Sequence, residues 1–117
     1  MKLEKIKYVL MAQDMDRAVT FYTSVFGLEP AFVSEWWSEL TFGDSIVALH
    51  GGGEGARQAT CLSLQVDDAT AACAAISAAG GTILDVPVQR EGEPIKLGKF
   101  VDSEGNEVML TEHVGFS

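Results

Sequence analysis

The sequence predicts an α+β protein in which one βαβββ module occurs twice, and two observations support this fold class. The first is an internal repeat with a spacing of 54 residues, carried by Leu10 and Leu64, Asp14 and Asp68, Ala18 and Ala72, and Gly27 and Gly81. The second is the order of patterns in each copy, where an apolar strand leads to an acidic residue, a helix and a glycine. A repeat at half the chain length indicates a duplicated supersecondary unit. We expect the two modules to form a curved mixed sheet around a concave cavity.

The first module is predicted to cover about residues 1–50. Its first strand covers residues 6–11, and Asp14 then begins a helix because its carboxylate can accept hydrogen bonds from the exposed N–H groups of the first turn. An apolar stripe at i, i+3, i+4 and i+7 lies on that helix, at Ala18, Phe21, Tyr22 and Val25, and Gly27 ends it. Further strands are predicted at residues 31–34, 37–42 and 45–50, with a hairpin turn at Gly43-Asp44.

The second module is predicted over about residues 60–117 and repeats this order. It begins with a strand at 60–66 and a helix at 68–79, followed by strands at 82–86, 96–101 and 107–111. Asp102–Asn106 has the composition of a turn. The glycine-rich segment 51–55 is predicted to be a flexible joint between the modules. The whole chain of 117 residues has the size of a single domain, 1–117.

The composition narrows the possible partners. The formal net charge is −9, and because an acidic surface repels phosphate backbones we expect no nucleic-acid partner. Cys61 and Cys73 are too few for a disulfide framework and fit a reducing compartment, which predicts a cytoplasmic protein. The sequence has neither a charged-then-apolar leader nor an apolar run long enough to cross a bilayer, so we expect no membrane partner.

Side-chain alternation along the predicted strands assigns two faces to the sheet. One face is apolar, for example at Leu62 and Leu64, and must lie under the helices because nothing else can cover it. The other face is mixed and is expected to line the concave side of the sheet. Its polar members are Lys7, His50, Cys61, Ser63, Glu107 and Thr111. A face of this composition is typical of a wet groove or a binding site.

Two segments of the sequence resemble a known superfamily. The first is Asp14–Tyr22 followed by Phe26-Gly27-Leu28, and the second is Asp102–Asn106 followed by Val108-Met109-Leu110. Both are similar to the opening and closing motifs of the vicinal oxygen chelate superfamily, which includes glyoxalases, bleomycin-resistance proteins, extradiol dioxygenases and epimerases. The resemblance implies the glyoxalase/bleomycin-resistance-like fold, with paired βαβββ modules around a cavity. It also implies a homodimer for a chain of two modules.

The resemblance further allows a test for a metal site. Metal enzymes of this superfamily carry a His, Gln or Glu at one inward position on each of four strands, and the matching positions here are Lys7, Ala48, Cys61 and Met109. A charged lysine has no lone pair, alanine has no donor atom, and a thioether is a poor ligand for hard ions. Because one cysteine does not hold a catalytic metal, we predict no metal and no cofactor. A register shift of two residues would instead bring in His50 or Glu107, with Glu112 and His113 nearby.

The aromatic pair Trp36-Trp37 is a candidate for ligand contact. Adjacent residues on a strand face opposite sides, so at most one of them is in the core if the other is at the cavity. A tryptophan over a groove stacks on flat or cationic ligands. The alternative is that one tryptophan packs in the core and the other packs in a dimer contact. The complete predicted ligand-binding set is Lys7, Val9, Trp36, Trp37, His50, Cys61, Ser63, Met109 and Thr111.

His50 and Glu107 are the candidate catalytic residues. His50 would act as a general base that the Glu107 carboxylate orients. Each polar candidate also has a structural alternative. His50 can bond the Gly51 loop at a strand end, Lys7 can pair with a neighbouring carboxylate, and Cys61 can be a small core residue.

These observations favour a glyoxalase/bleomycin-resistance-like protein that binds a small aromatic or cationic molecule in the sheet cavity without a metal. The first alternative is a lyase, isomerase or transferase of the same superfamily, with a displaced metal site or metal-free acid–base catalysis. The second alternative is a structural or regulatory dimer with a vestigial cavity.

Overall fold

The computed structural model describes residues 1–115, so the last two residues of the predicted domain lie outside the described part. The elements in chain order are β1 (Lys7–Ala12), α1 (Met15–Phe26), β2 (Glu29–Val33), β3 (Trp37–Phe42), β4 (Ser45–Gly51), β5 (Gln58–Val66), α2 (Ala69–Ala78), β6 (Thr82–Gln89), β7 (Ile95–Val101) and β8 (Asn106–His113). The order βαβββ occurs twice, which confirms the predicted fold class.

The eight strands form two four-stranded sheets with the same topology. The first sheet has the order β1-β4-β3-β2 and the second has the order β5-β8-β7-β6. In each sheet the first strand of the module pairs in parallel with the last one, and the other pairs are antiparallel. Both sheets are therefore mixed, and β1 and β5 each lie at an edge.

Strand β6 is longer than predicted, because it continues to Gln89 and passes through Pro87. β6 pairs only with β7, and proline is tolerated in an edge strand because no ladder hydrogen bond is lost there. Gly98 on β7 leaves room for the ring, since a Cβ at Gly98 would lie 2.7 Å from Pro87 Cγ.

The two helices begin in the same way, as the repeat predicts. Asp14 accepts a hydrogen bond from the Arg17 N–H at 3.1 Å, and Asp68 accepts one from the Ala71 N–H at 3.0 Å. At α2 a second carboxylate is present, because Glu112 Oε1 accepts the Ala69 N–H at 2.7 Å. Within residues 1–115, neither helix has the length and apolarity needed to span a membrane.

Helix α1 contacts the apolar faces of both sheets. Phe21 and Phe26 pack against Phe100 of β7, with ring centroids 6.1 and 5.7 Å apart. The buried core extends from the first sheet to the second, through Leu10, Leu40, Leu49, Phe100, Val108 and Leu110. The apolar faces predicted to lie under the helices therefore join in one core.

The loop between β7 and β8 connects the second module to the first. Tyr22 of α1 donates from its hydroxyl to the buried Asp102 carboxylate at 2.6 Å. Asn106 Nδ2 donates to Asp102 at 3.0 Å and to the Met11 carbonyl of β1 at 2.8 Å. Burial and the Asp102 carboxylate raise the pKa of Tyr22 well above its ordinary value, so its phenol stays a neutral donor. These buried polar groups satisfy one another across the module boundary.

Glu104 in the same loop binds the start of α1. Its side chain is completely buried, and it accepts the Gln13 and Asp14 N–H groups at 3.0 and 2.7 Å. Arg17 donates to it through Nε at 2.7 Å and Nη2 at 3.2 Å, and the Ser103 hydroxyl donates at 2.7 Å. The N–H groups of Gln13 and of the N-cap residue Asp14, both in the first module, thus have their acceptor in the second module.

The glycine-rich segment 51–55 differs from the flexible joint predicted for it. The Gly53 N–H donates to the Ala12 carbonyl at 3.0 Å, and the Gly51 N–H donates to the Trp36 carbonyl at 2.9 Å. A Cβ on Gly51 would lie 2.5 Å from the Glu35 carbonyl oxygen. At Gly51, glycine is therefore required because two backbone segments approach closely.

Replacing Glu104 by alanine is expected to destabilise the fold. The change leaves two backbone N–H groups without their acceptor and removes the partner of Arg17, which should lower the free energy of unfolding by about 3 kcal/mol. Urea denaturation followed by tryptophan fluorescence measures this loss. Glu91→Ala, in an exposed loop, is the control and should change stability by less than about 0.5 kcal/mol. Equal effects of the two substitutions would contradict the role of Glu104.

The same carboxylate predicts a loss of stability in acid. Burial by itself raises the pKa of Glu104, but hydrogen bonds from Arg17, the Asp14 N–H and Ser103 outweigh it, and the pKa lies below its ordinary value of 4.5. A carboxylate with a lower pKa in the folded state stabilises the fold above its unfolded pKa, and this contribution is lost as the pH falls through the folded pKa. The urea midpoint should therefore decrease from about pH 5 towards about pH 3. The decrease should be smaller in Glu104→Gln, and parallel pH profiles would count against this origin.

Candidate functional site

The mixed face of the first sheet has the composition that alternation predicts. Val9 on β1 lies beside Ala48 on β4, and Ala48 lies beside Glu39 on β3. One step along, Met11 lies beside His50, which in turn lies beside Trp37. The register thus places the predicted residues Val9, Trp37 and His50 on one face. It adds Glu39, which the sequence analysis did not identify.

Lys7, Trp37 and Glu39 form a polar cluster on this face. Lys7 Nζ lies 2.9 Å from Glu39 Oε2, and Trp37 Nε1 donates to the same oxygen at 2.8 Å. The Lys7 ammonium also lies 5.8 Å from the centroid of the Trp37 ring. The hydrogen bonds from Trp37 and Lys7 lower the pKa of Glu39, so the carboxyl is ionised at neutral pH. Because Glu39 follows Trp37 by two positions on the same strand, side-chain alternation would have predicted it on this face.

His50 lies next to this cluster but is not oriented by Glu107. Its Nδ1 is 2.6 Å from the Gly51 carbonyl oxygen, and its ring is edge-on to Trp37 with centroids 6.2 Å apart. Because a carbonyl only accepts, Nδ1 carries the proton, and Nε2 of the neutral ring is an acceptor. The carboxylate of Glu107 instead lies 3.8 Å from Arg57 Nε and 3.9 Å from Lys99 Nζ. The predicted pairing of His50 with Glu107 is therefore wrong in this chain.

The second sheet carries the remaining predicted residues. Ser63 on β5 is exposed and lies beside Met109 on β8. Thr111 is buried, and its hydroxyl donates to the Leu64 carbonyl at 3.5 Å, so its side chain is engaged within the second sheet and its role as a ligand contact stays a prediction. Cys61 is exposed and not a core residue.

The two adjacent tryptophans have different environments. Trp37 is on the mixed face of β3, half-buried against His50 and Lys7. Trp36 precedes β3, is 64% exposed and lies against Gly51 and Gly52, away from the Trp37 cluster. Of the predicted pair, only Trp37 joins the residues gathered on the mixed face.

The structure also contains a mainly apolar groove on the opposite, helix-facing side. It has a volume of about 600 Å³ and includes Leu40, Val47, Leu62, Leu64 and Val66. Tyr8 lies in its wall, where the phenol oxygen accepts the Cys61 N–H at 2.6 Å and bridges β1 to β5. This groove lies on the face predicted to be dry core. The mixed face of the first sheet instead carries the charged side chains of Lys7 and Glu39.

The residues at the four ligand positions of the superfamily do not fit a metal. Lys7 is paired with Glu39, Ala48 is fully buried and without a donor, and Met109 offers only a thioether. Cys61 lies on the other sheet from Lys7 and Ala48. Across residues 1–115, no three His, Cys, Asp or Glu side chains are grouped closely enough to hold an ion.

Comparison with known proteins identifies the family. The profile of the Glyoxalase/Bleomycin resistance protein/Dioxygenase superfamily matches residues 5–110. The chain belongs to this superfamily, which confirms the resemblance seen in its opening and closing motifs. A search of curated proteins gave no match.

Solved structures of this fold are similar over nearly the whole chain. A family enzyme from Burkholderia phytofirmans PsJN has a TM-score of 0.74 at 18% identity, covering 92% of this chain and 96% of that one. A fosfomycin resistance protein from Listeria monocytogenes has a TM-score of 0.76 at 14% identity, covering 96% and 94%. A bleomycin-binding protein from Streptomyces verticillus, in complex with copper(II)-bleomycin, has a TM-score of 0.68 at 19% identity, covering 96% and 98%. At these identities the likeness is one of fold.

Metal analysis tests the chemistry of the four ligand positions. Protein purified without chelator is expected to contain substoichiometric zinc, nickel, manganese and iron, because lysine, alanine and methionine offer no suitable donor set. Its thermal midpoint should not change when any of these ions is added. Near-stoichiometric metal, or a shift of several degrees with one ion, would contradict this and favour a metalloenzyme.

Proposed function

We propose that this protein binds a small aromatic or cationic molecule on the mixed face of the first sheet, without a metal. The observation that carries the proposal is the pairing of Trp37 with Glu39. The indole N–H holds one oxygen of the carboxylate at 2.8 Å, which places an aromatic ring and a negative charge side by side on an accessible face. Aromatic rings attract flat groups and cations, and the carboxylate favours cations over anions.

The charge of the whole chain supports the same ligand class. A net charge of −9 raises the local concentration of cations and disfavours anionic ligands. The bleomycin-binding protein with the same fold is a relative that takes up a small molecule as its copper complex. We carry over to this chain only the use of the fold as a small-molecule receptor.

We further propose that the protein is a homodimer in which a second copy covers the mixed faces. Several large apolar side chains are exposed on the outer strands, namely Phe32, Val33, Val86 and Val88. Their exposure is costly in a monomer and is typical of a surface that a partner covers. A second copy would turn the open face around Trp37 into a closed cavity.

A cytoplasmic location is part of the proposal. Cys61 and Cys73 are both free thiols, and Cys61 is exposed. Exposed unpaired cysteines are maintained in reducing compartments, where thiols are kept from oxidation.

Metal-free acid–base catalysis is the second candidate function. His50 supports it, because its exposed ring has Nδ1 bonded to the Gly51 carbonyl and therefore presents Nε2 as an acceptor. A lyase or isomerase of this type would use His50 as the base and Lys7 near a developing negative charge. His50→Ala should then abolish turnover, whereas it should change the affinity of a binding protein only modestly.

Aromatic cations are expected to bind better than aromatic anions and neutral aromatic molecules. Benzyltrimethylammonium should stack on Trp37 beside Glu39, whereas benzoate carries the opposite charge and benzyl alcohol carries none. We expect benzyltrimethylammonium to bind at least about tenfold more tightly than either, as measured by isothermal titration calorimetry. Equal or tighter binding of benzoate would contradict the proposed ligand class.

The two neighbouring tryptophans offer a matched control. Trp37→Leu should remove the binding of benzyltrimethylammonium, because the ring and the donor to Glu39 are lost together. Trp36→Leu should leave the affinity unchanged, because Trp36 lies against Gly51 and Gly52. Binding that depends on Trp36 and not on Trp37 would place the ligand elsewhere.

A further inference from the structure

We propose that Lys7 is an internal competitor for this site, and that its ammonium group occupies the position where an organic ammonium ligand binds. This rests on the proposed function and specifies it, because it names the recognised group as a monocation attached to an apolar body. In this view Glu39 and Trp37 form the recognition site, and Lys7 must leave it before the ligand enters.

The contacts of Lys7 are those that an ammonium ligand would make. Its Nζ lies 2.9 Å from Glu39 Oε2 and 5.8 Å from the centroid of the Trp37 ring. A carboxylate for the charge and a ring face for the cation are the two elements of ammonium recognition. Trp37 Nε1 holds the same oxygen from another side, so the carboxylate keeps its position when the lysine leaves.

The Lys7–Glu39 pair is suited to exchange. The side chains of Lys7 and Glu39 are 38% and 18% exposed, and ion pairs that water reaches are weak. Lys7 is the first residue of β1 and has a long flexible stem, so its ammonium can move into solvent without any change in the strand. Lys5 is a second cation near Glu39, and it lowers the pKa of Glu39 less than the hydrogen bonds from Trp37 and Lys7 do.

The surroundings of Glu39 specify the rest of the ligand. One row across all four strands of the sheet consists of Phe32, Glu39, Ala48 and Val9. Ala48 is fully buried, while Phe32 and Val9 are 55% and 47% exposed. The carboxylate is thus flanked by apolar groups in both directions. This favours an ammonium with an apolar or aromatic body over a polyamine with charges along its length.

Glu107 on the second sheet provides a comparison, because it is a carboxylate that is not part of such a site. Glu107 lies between Arg57 and Lys99, at 3.8 and 3.9 Å, so two cations already surround it. Removing one of them leaves the other in place. On the first sheet, removing Lys7 leaves the negative charge of Glu39 beside Trp37 without an ion-pair partner, since Lys5 has only a weaker effect on it. Lys99→Met therefore matches Lys7→Met in charge and length but opens no ammonium site.

The test uses benzylammonium as the probe and benzyl alcohol as its neutral counterpart, with calorimetry on the full chain. Lys7→Met is expected to bind benzylammonium at least about tenfold more tightly than the wild type does, with no gain for benzyl alcohol. Lys99→Met should show no gain. Adding Glu39→Gln to Lys7→Met should remove the gain. Lys7→Gln, which keeps the side chain polar, should behave like Lys7→Met.

Three results would overturn the role of Lys7. They are an unchanged benzylammonium affinity in both Lys7 variants, an equal gain in Lys99→Met, and a gain that survives Glu39→Gln.

The failure of this inference differs from the failure of the proposed function. If the wild type binds benzyltrimethylammonium through Trp37, and Lys7→Met does not raise the affinity for benzylammonium, the proposed function stands and the competition by Lys7 is excluded. If only the Lys7 variants bind, the competition stands and the wild type is not a receptor for this ligand class.

Discussion

The two carboxylates of the β7–β8 loop are the constraint on which the rest of the structure depends. Asp102 binds Tyr22 of α1 and, through Asn106, the end of β1. Glu104 binds the N–H groups at the start of α1 and the guanidinium of Arg17. Both groups are buried and polar, so each requires its partners at a defined position. Apolar packing around Phe100 brings the modules together without direction, whereas these hydrogen bonds set how β1 and α1 lie relative to the second module.

The duplicated modules share a topology and differ in chemistry. In the first sheet a carboxylate lies beside an indole ring and one lysine. In the second, a carboxylate lies between two cations. The duplication thus provides two similar faces, and of these two carboxylates only Glu39 is hydrogen-bonded by an indole ring, the arrangement on which the proposed site rests. Lys7 and Ala48, at two of the superfamily's metal-ligand positions, belong to the first face, and Lys7 is also part of the proposed ligand site.

The repeat, the element order and the two faces of each sheet could be predicted from the sequence, because they depend on local periodicity. Glu39 is absent from the predicted site because its identification requires alternation along β3 as well as along β1, β4, β5 and β8. The roles of Asp102 and Glu104 could not be predicted from the turn-like composition of their loop, because their partners are about 80 to 90 residues away along the chain. The predicted pairing of His50 with Glu107 is wrong for a related reason. Alternation along a strand assigns each side chain to a face of its own sheet, but it does not show how two different sheets are placed relative to each other.

The order in which the chain is synthesised gives the helix-capping carboxylates an additional consequence. Glu104 covers the start of α1 and Glu112 covers the start of α2, so both helices depend on the β7–β8 hairpin, which leaves the ribosome after them. The first module emerges with the N–H groups of Gln13 and Asp14 exposed to water, and it cannot complete its helix start until the second module is nearly finished. Although the sequence repeats one unit, the folding of its two modules is therefore coupled. A nascent chain that stops before Asp102 carries a first module without its closing contacts.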